Sequence, residues 1–329
     1  MANIITERLF EYDLSEGEKK KRIDIYLANV VEYASRSRIQ HLIKHELVTI
    51  NGKVAKANSK VVAGDKIVLR IPCHPRPDVI EAEEIPLDII YEDESFLLVN
   101  KAAGMVVHPA FGNHTGTMVH ALLHHVKDLS NMNDDPARPG IVHRIDKETS
   151  GLLVVAKDEW THAQLAYQFQ DHSIEREYWA IVWGHFKEPK GEIIGNITRS
   201  KKDRKVFTVS ETEGKHAHTF YEVIEEFEFL TLVKLHLKTG RTHQIRVHMN
   251  HINHPVFGDP VYNGRAIRYG SDLPKVKARV ENLLKIMNRQ ALHAKTLGFI
   301  HPKSKEKVFF ESELPDDMKE VLEKIKITE

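Results

Sequence analysis

Apolar residues recur at helical spacing in residues 22 to 34, RIDIYLANVVEYA, where Ile23, Leu27, Val30 and Val31 fall on one face. A second run, SRSRIQHLIKHE, aligns Ile39, Leu42 and Ile43 along one stripe. Ser35 and Ser37 are its candidate caps, and Arg36, Arg38, Lys44 and His45 are left toward solvent. The period then drops to two. The runs VTI and KVA flank Asn51-Gly52, a pair that tolerates positive φ at both positions and so predicts a tight hairpin. Gly64-Asp65 starts a further turn before KIVLRI. Two short helices and a small hairpin sheet are thus predicted over about residues 22–70, a small α/β unit with a basic helical face.

Pro72, Pro75, Pro77 and Pro86 then interrupt any helix or sheet ladder and mark the best domain boundary. From Ile89 onward, short runs such as FLLVN, GLLVVA, YWAIVWG and TLVKLHL alternate with turn residues and with helical stretches such as THAQLAYQFQDH. That alternation predicts an α+β domain on a large mixed, mainly antiparallel sheet. The expected division is an N-terminal segment and small domain over 1–75, a proline-rich acidic linker over 76–88, and a large domain over 89–329. No internal repeat, GxGxxG fingerprint or phosphate-binding P-loop is found.

A hydrophobic fraction of 41% is ordinary for a globular chain, and 329 residues suit about two domains. No run approaches the ~18 apolar residues of a membrane span, and MANIITERLF lacks the order of a signal peptide. The expectation is a soluble cytoplasmic protein without a membrane partner. Cys73, the single cysteine, excludes an internal disulfide and a thiolate zinc cluster. Net charge is zero, yet residues 18 to 70 hold twelve Lys or Arg against five Asp or Glu, whereas residues 77 to 94 hold eight acids and no base. A basic block before an acidic stretch fits a polyanion-binding domain and a linker, and it also fits plain solvated surface.

Chemistry concentrates in residues 139 to 157, PGIVHRIDKETSGLLVVAK. A strand-like IV leads into a polar turn carrying His143, Arg144, Asp146, Lys147 and Thr149, closed by Gly151 before an apolar strand. A turn anchored on both sides can hold charged groups at a sheet surface, as catalytic groups often are held. Taken alone, Asp146 also has the commoner role of an Asp that tightens a turn.

The segment resembles the signature of the RluA-type pseudouridine synthases, centred on His-Arg-Leu/Ile-Asp with Ser/Thr-Gly and a strand after it. Further stretches similar to that family follow in order: NKAAGMVVHPAFGNHTGTMVHALL from 100, EREYWAIVWG from 175, LKTGRTHQIRVHMNHINHPVFGDPVYNG from 237 and LHAKTLGFIHPKSKEKVFFESELPDDM from 292. The resemblance covers nearly all of residues 89 to 318. It implies a pseudouridine synthase fold, isomerisation of uridine in RNA, and no cofactor or metal. It assigns Asp146 as the essential aspartate, Arg144 as the residue that helps displace the target base, Tyr178 as the aromatic that stacks on it, and Arg246 as the cation paired with Asp146. Ile245 is the apolar contact beside it, and His143 and Arg241 complete the substrate-binding set. Ile145, where leucine is common, preserves volume. Residues 22 to 70 resemble the S4-like RNA-binding domain shared with a small-subunit ribosomal protein, which makes Arg36, Arg38 and Lys44 candidate RNA contacts.

The residue types suit that chemistry. Breaking an N1 glycosidic bond and remaking it at C5 requires a carboxylate that can act as nucleophile or base, and a nearby cation favours its charged form. Tyr178 offers a flat face and a hydroxyl for proton relay. A target inside a stacked helix must be extruded, and a long cation such as Arg144 can fill the vacated space. The loop RSKKDRK at 199–205 adds Lys201, Lys202 and Arg204 as candidate RNA contacts, or as an ordinary solvated hairpin tip. His248, His251 and His254 have spacing that could suggest metal ligands, but Pro255 ends the segment and HExxH is absent.

The expected partner is structured RNA, ribosomal RNA of the large subunit foremost, with no obligate protein partner. Three rivals remain. They are a transfer-RNA synthase, a noncatalytic RNA-binding or ribosome-assembly protein on the same fold, and a metal-dependent hydrolase.

Overall fold

The structure is a computed structural model that describes the chain except residues 1–5, 15–19, 32–35, 74–79, 111, 127–128, 131–137, 201–202, 204–205, 269–272 and 327–329. The chain divides into two compact units, Met1–Asp78 and Val79–Glu329.

In the first unit, β1 (Thr6–Asp13) precedes β2 (Lys21–Arg22), α1 (Ile23–Val30), α2 (Arg36–Lys44), β3 (Val48–Ile50), β4 (Lys53–Val54), β5 (Lys60–Val61) and β6 (Lys66–Cys73). The sheet order is β1-β6-β3-β4, and β2 pairs with β5. Asn51 and Gly52 take φ of 51° and 78°, the positive pair that the β3–β4 hairpin needs. Ile23, Leu27, Ile39, Leu42 and Ile43 pack with Val48, Ile67 and Leu69 into one core. Val30 departs from the expected face, being 40% exposed. The helix stops there, and Val31, in extended backbone with its N–H on the Leu27 carbonyl, turns inward in its place. The cap expected at Ser35 lies outside the described residues, as do the side chains of Ser37 and Arg38.

The first turn of α1 carries a fully buried carboxylate, Asp24. Burial alone would raise its pKa, but hydrogen bonds from Gln40, Arg36 and Arg22 hold it below the usual carboxylate range. Arg36 is ion-paired yet remains half-exposed, and Lys44 and His45 also face solvent as expected.

The second unit runs β7 (Ile89–Glu92), β8 (Phe96–Lys101), α3 (Met118–His125), β9 (Ser150–Ala156), α4 (Glu159–Gln170), β10 (Glu175–Trp183), β11 (Lys190–Arg199), β12 (Phe207–Ser210), β13 (Lys215–Glu226) and β14 (Leu230–Leu237). It closes with α5 (Gln244–His251), α6 (Pro274–Ile286), β15 (Leu292–Ile300), β16 (Lys307–Glu311) and α7 (Asp316–Lys326). The strand order is β12-β11-β13-β14-β10-β15-β9-β8-β7, with β16 on β15. Only the β9–β15 contact is parallel among the described strands, so the sheet is mixed and mainly antiparallel. Among the described residues no helix is long and apolar enough to cross a membrane.

Buried apolar runs, such as the wholly buried β9, mark strands covered on both faces. The expected strand at Ile141-Val142 reduces to a single bridge between Ile141 and Val155. The backbone there turns away at once toward the polar segment.

Three of the buried or partly buried histidines of this unit stand out by the size of their pKa shift. His248 shares a hydrogen bond with Thr219 Oγ1 at 2.9 Å, and His293 sits between Ser150 and Ser312 at 2.9 and 2.8 Å. His143 accepts the Val154 N–H at 3.0 Å. Burial lowers His143 to about 3 and His248 and His293 to about 4, with Arg176 adding to the first, neighbouring histidines to the second, and Lys295 and Arg289 to the third. Between those values and the ordinary ~6.5, the unfolded chain binds protons that the fold excludes. Stability is expected to fall as pH drops from about 6.5 toward 4, each histidine contributing up to about 1.4 kcal/mol per pH unit. Urea unfolding at pH 7.5 and pH 5 measures this, and an equal midpoint at both values would contradict it.

Candidate active site

The polar turn after the Ile141 bridge is fixed from several directions. Its start is held by the Val154 N–H on His143 Nε2, and the His143 ring stacks on Phe169 at 4.4 Å. Its carbonyls are gathered by buried cations. Lys101, 1% exposed, donates through Nζ to the Lys147 carbonyl at 2.9 Å and to the Ala102 and Met105 carbonyls at 2.7 and 3.0 Å. Arg289 donates to the Glu148 carbonyl at 3.0 Å while its other nitrogens clamp Asp317 of α7.

Where the turn enters β9, Gly151 has φ of +113° and pairs with Ala294 of β15. A Cβ there would fall on the Ala294 carbonyl oxygen and 2.6 Å from its nitrogen, so the close approach of the parallel strands requires glycine. Ala294 pairs on its other side with Tyr178 of β10, next to a register shift at Glu177. The sequence β9-β15-β10 thus sets the turn and Tyr178 on neighbouring parts of one sheet.

The facing wall is α5. His243, at its N-terminal cap, takes a left-handed φ of 55°, and Gln244 ties the helix start to the Arg241 N–H, Thr239, Thr219 and the His218 carbonyl. This aims Arg246, 5% exposed, at Asp146, whose Oδ2 accepts from Nη1 at 3.0 Å. Nε and Nη2 of the same guanidinium meet both oxygens of the buried Asp259 at 2.7 and 3.0 Å, and the Tyr262 ring lies 4.9 Å away. Burial alone would lower the pKa of Arg246, but hydrogen bonds and charge from Asp259, then Asp146, hold it above its ordinary value. Asp146 Oδ1 accepts no hydrogen bond among the described residues, and His243 Nε2 lies 3.9 Å from it. Burial lowers the His243 pKa, and its Nδ1 shares a hydrogen bond with Tyr262 Oη at 2.8 Å.

These walls enclose a cavity of about 540 Å³. Asp146, Tyr178, Arg246, Arg144, Ile245, Arg241 and His143 all line it, so the seven residues read from the sequence converge on one site. Tyr178 is 7% exposed, and burial raises its phenol above the ordinary range, which keeps the hydroxyl protonated at neutral pH. Arg144 is exposed and makes no hydrogen bond among the described residues, whereas Arg241 Nε is spent on the His216 carbonyl at 2.9 Å.

A family model described as RNA pseudouridylate synthase matches residues 95–251, and one described as S4 domain matches residues 21–67. An uncharacterized RNA pseudouridine synthase of Chlorobaculum parvum is 46% identical over 320 residues, 95% of this chain and 97% of its own length. The chain belongs to the RNA pseudouridine synthases. A ribosomal large subunit pseudouridine synthase D of Zymomonas mobilis is likewise 46% identical, over 90% of this chain and 91% of its own. A solved human structure, RNA Pseudouridylate Synthase Domain Containing 4, shares the fold with a TM-score of 0.55 at 23% identity, over 72% of this chain and 92% of its own.

Several residues around the cavity of this pseudouridine synthase escaped the sequence reading. His243 and Asp259 lie inside the stretch from 237 that carried the resemblance, and a His three residues before Arg246 was the available signal. Arg176 lines the cavity with its guanidinium 5.4 Å from the Phe169 ring and its Nε buried without a partner. Lys101 lies inside the stretch from 100 without being singled out there, and Arg289 falls just before the stretch from 292. The histidines at 248, 251 and 254 do not assemble: His248 is bonded to Thr219, and His254, past the end of α5, bonds the Trp183 carbonyl and stacks on Phe186. No group of three potential metal ligands occurs among the described residues. Lys201, Lys202 and Arg204 lie outside the described residues, in the β11–β12 connection.

Lys101→Met keeps the apolar stem but removes three hydrogen bonds, one of them to the turn at the Lys147 carbonyl. It is expected to lower pseudouridine formation about 10²-fold, the scale of a misplaced catalytic group, with RNA affinity little changed. Wild-type turnover by a folded Lys101→Met enzyme would show that the turn holds without the clamp.

Proposed function

We propose that this enzyme isomerises uridines of large-subunit ribosomal RNA, with Asp146 as nucleophile acting on a nucleotide flipped into the cavity. The observation that carries the catalytic part is the division of labour at Asp146, a residue lining the cavity: Oδ2 is held by Arg246, while Oδ1 accepts no hydrogen bond among the described residues. In this scheme Oδ1 attacks the anomeric carbon as the N1 bond breaks. The uracil leaves as an anion, turns against the Tyr178 face, and bonds through C5. The carboxylate is released, the C5 proton is lost, and N1 gains one, so the net change is an isomerisation. Arg246, fixed by Asp259, stabilises the charged carboxylate without moving during turnover. Tyr178 supplies the stacking surface, and its protonated hydroxyl can donate to the turning base.

Arg144, exposed at the rim, is assigned to displacing the target base and meeting phosphate. Ile245 gives an apolar contact, and Arg241 borders the opening. His143 is assigned to placing the turn, because its Nε2 and ring face are engaged by Val154 and Phe169. The division into an RNA-binding unit over 1–75, a linker over 76–88 and a catalytic domain over 89–329 fits this scheme, with Lys44 on the basic helical face and Lys201, Lys202 and Arg204 available along the RNA path. Neither an organic cofactor nor a metal is required.

The choice of ribosomal RNA is supported by the printed names of relatives such as the Zymomonas protein and by the N-terminal domain, whose cations lengthen the RNA footprint. A noncatalytic RNA-binding role is disfavoured by the intact Asp146, Arg246 and Tyr178 constellation.

Asp146→Asn is expected to abolish isomerisation while leaving RNA binding within about tenfold, since the basic surfaces supply affinity. Tyr178→Phe should keep stacking and lose rate, and a wild-type rate would remove the hydroxyl from the mechanism. Mapping pseudouridine in total RNA from cells lacking the protein should show loss from large-subunit ribosomal RNA. Loss confined to transfer RNA would overturn the substrate assignment.

A further inference from the structure

Helix α4 begins at the Asp158 cap, buries Thr161, His162 and Leu165, and turns an unusual face outward. Trp160 is 59% exposed and Tyr167 65% exposed, seven residues apart and so on the same side of the helix. Three residues beyond Tyr167 the stripe reaches Gln170, which lines the catalytic cavity with Phe169 and His172. From Trp160 to Gln170 the stripe is about 15 Å long at 1.5 Å per residue, enough for roughly four stacked nucleotides.

Cations border this face. Gln168 makes two hydrogen bonds to the Ile300 backbone, which seats the β15–β16 turn beside the helix. Lys305 of that turn lies 5.8 Å from the Trp160 ring centroid, and Lys303 is half-exposed nearby, with only a 4.0 Å approach to Glu94. Two isolated rings with a polar Gln164 between them do not form the continuous apolar area of a protein-docking site. Flat faces spaced along a strip with flanking cations are what unpaired bases and their phosphates fit.

We propose that the outer face of α4 is an RNA subsite in which Trp160 and Tyr167 stack on unpaired bases flanking the target uridine while Lys305 and Lys303 meet the backbone. It rests on the reading of the cavity as the place that receives the uridine. A strand whose target nucleotide enters the cavity passes over the rim at Gln170, and the α4 face is the surface that continues outward from that rim. The subsite adds affinity and positions the strand, and takes no part in bond making.

The test uses the full-length enzyme and a transcript of large-subunit ribosomal RNA. Trp160→Ala/Tyr167→Ala is expected to raise KM and Kd about tenfold or more with kcat within about twofold, and Trp160→Phe/Tyr167→Phe to restore most of the loss. Binding of the transcript to the Asp146→Asn protein should quench a tryptophan signal that disappears when Trp160→Phe is added. Unchanged KM, Kd and quenching in the alanine variant would overturn the subsite and leave this face to a protein partner. Failure of the wild-type enzyme to modify the transcript would instead strike at the substrate reading, and quenching by the same RNA would still report on the α4 face.

Discussion

Arg246 is the constraint on which the site depends. A guanidinium at 5% exposure cannot stand uncompensated, and here one planar cation is shared by two carboxylates from distant segments, Asp146 and Asp259. The two contacts differ in kind. Asp259 is fully buried, takes a bidentate pair and also accepts the Val261 and Tyr262 N–H groups, so all its acceptor capacity is used within the fold. Asp146, which lines the cavity, takes a single hydrogen bond among the described residues, on Oδ2. The same cation is the counterion of a fully buried carboxylate on one side and of a cavity-lining carboxylate on the other.

A second set of buried cations supports the carboxylate from behind. The turn that carries Asp146 has no strand ladder on its incoming side, only the Ile141–Val155 bridge, so its carbonyls need other donors. Lys101 and Arg289 supply them, and Arg289 ties the turn to the C-terminal helix through Asp317. Burial lowers the Lys101 pKa to about 7, a measure of how far its ammonium is removed from water. A buried polar network of this kind is costly when incomplete and rigid when complete. Rigidity at this point suits a reaction that must hold a free base without letting water in.

The sheet brings these elements together through one tight contact. Gly151 and Ala294 approach closely where β9 and β15 run parallel, and Tyr178 lies on the next strand. Tyr178 is therefore set by the backbone ladder of the sheet, and the turn that carries Asp146 is anchored at its outgoing end by the same contact.

Local pattern in the sequence determined much of this. The Asn51-Gly52 hairpin, the apolar stripe of α2, the runs that became β8, β9, β10 and β14, and the seven cavity residues were all legible, because period, turn chemistry and ordered motifs are properties of neighbouring residues. Tertiary structure alone decided the rest. Helix α1 ended early and left Val30 outside, and the IV run formed one bridge instead of a strand. The buried Asp24 drew the half-exposed Arg36 into an ion pair that helical spacing could not foretell. His243, Asp259, Lys101 and Arg289 acquired their places through contacts between residues far apart in the chain, such as Arg246 and Asp146, which are separated by 100 positions. Which charge lies buried, and beside which partner, is set by packing, because desolvation acts on a group's surroundings in space and leaves no periodic trace along the chain.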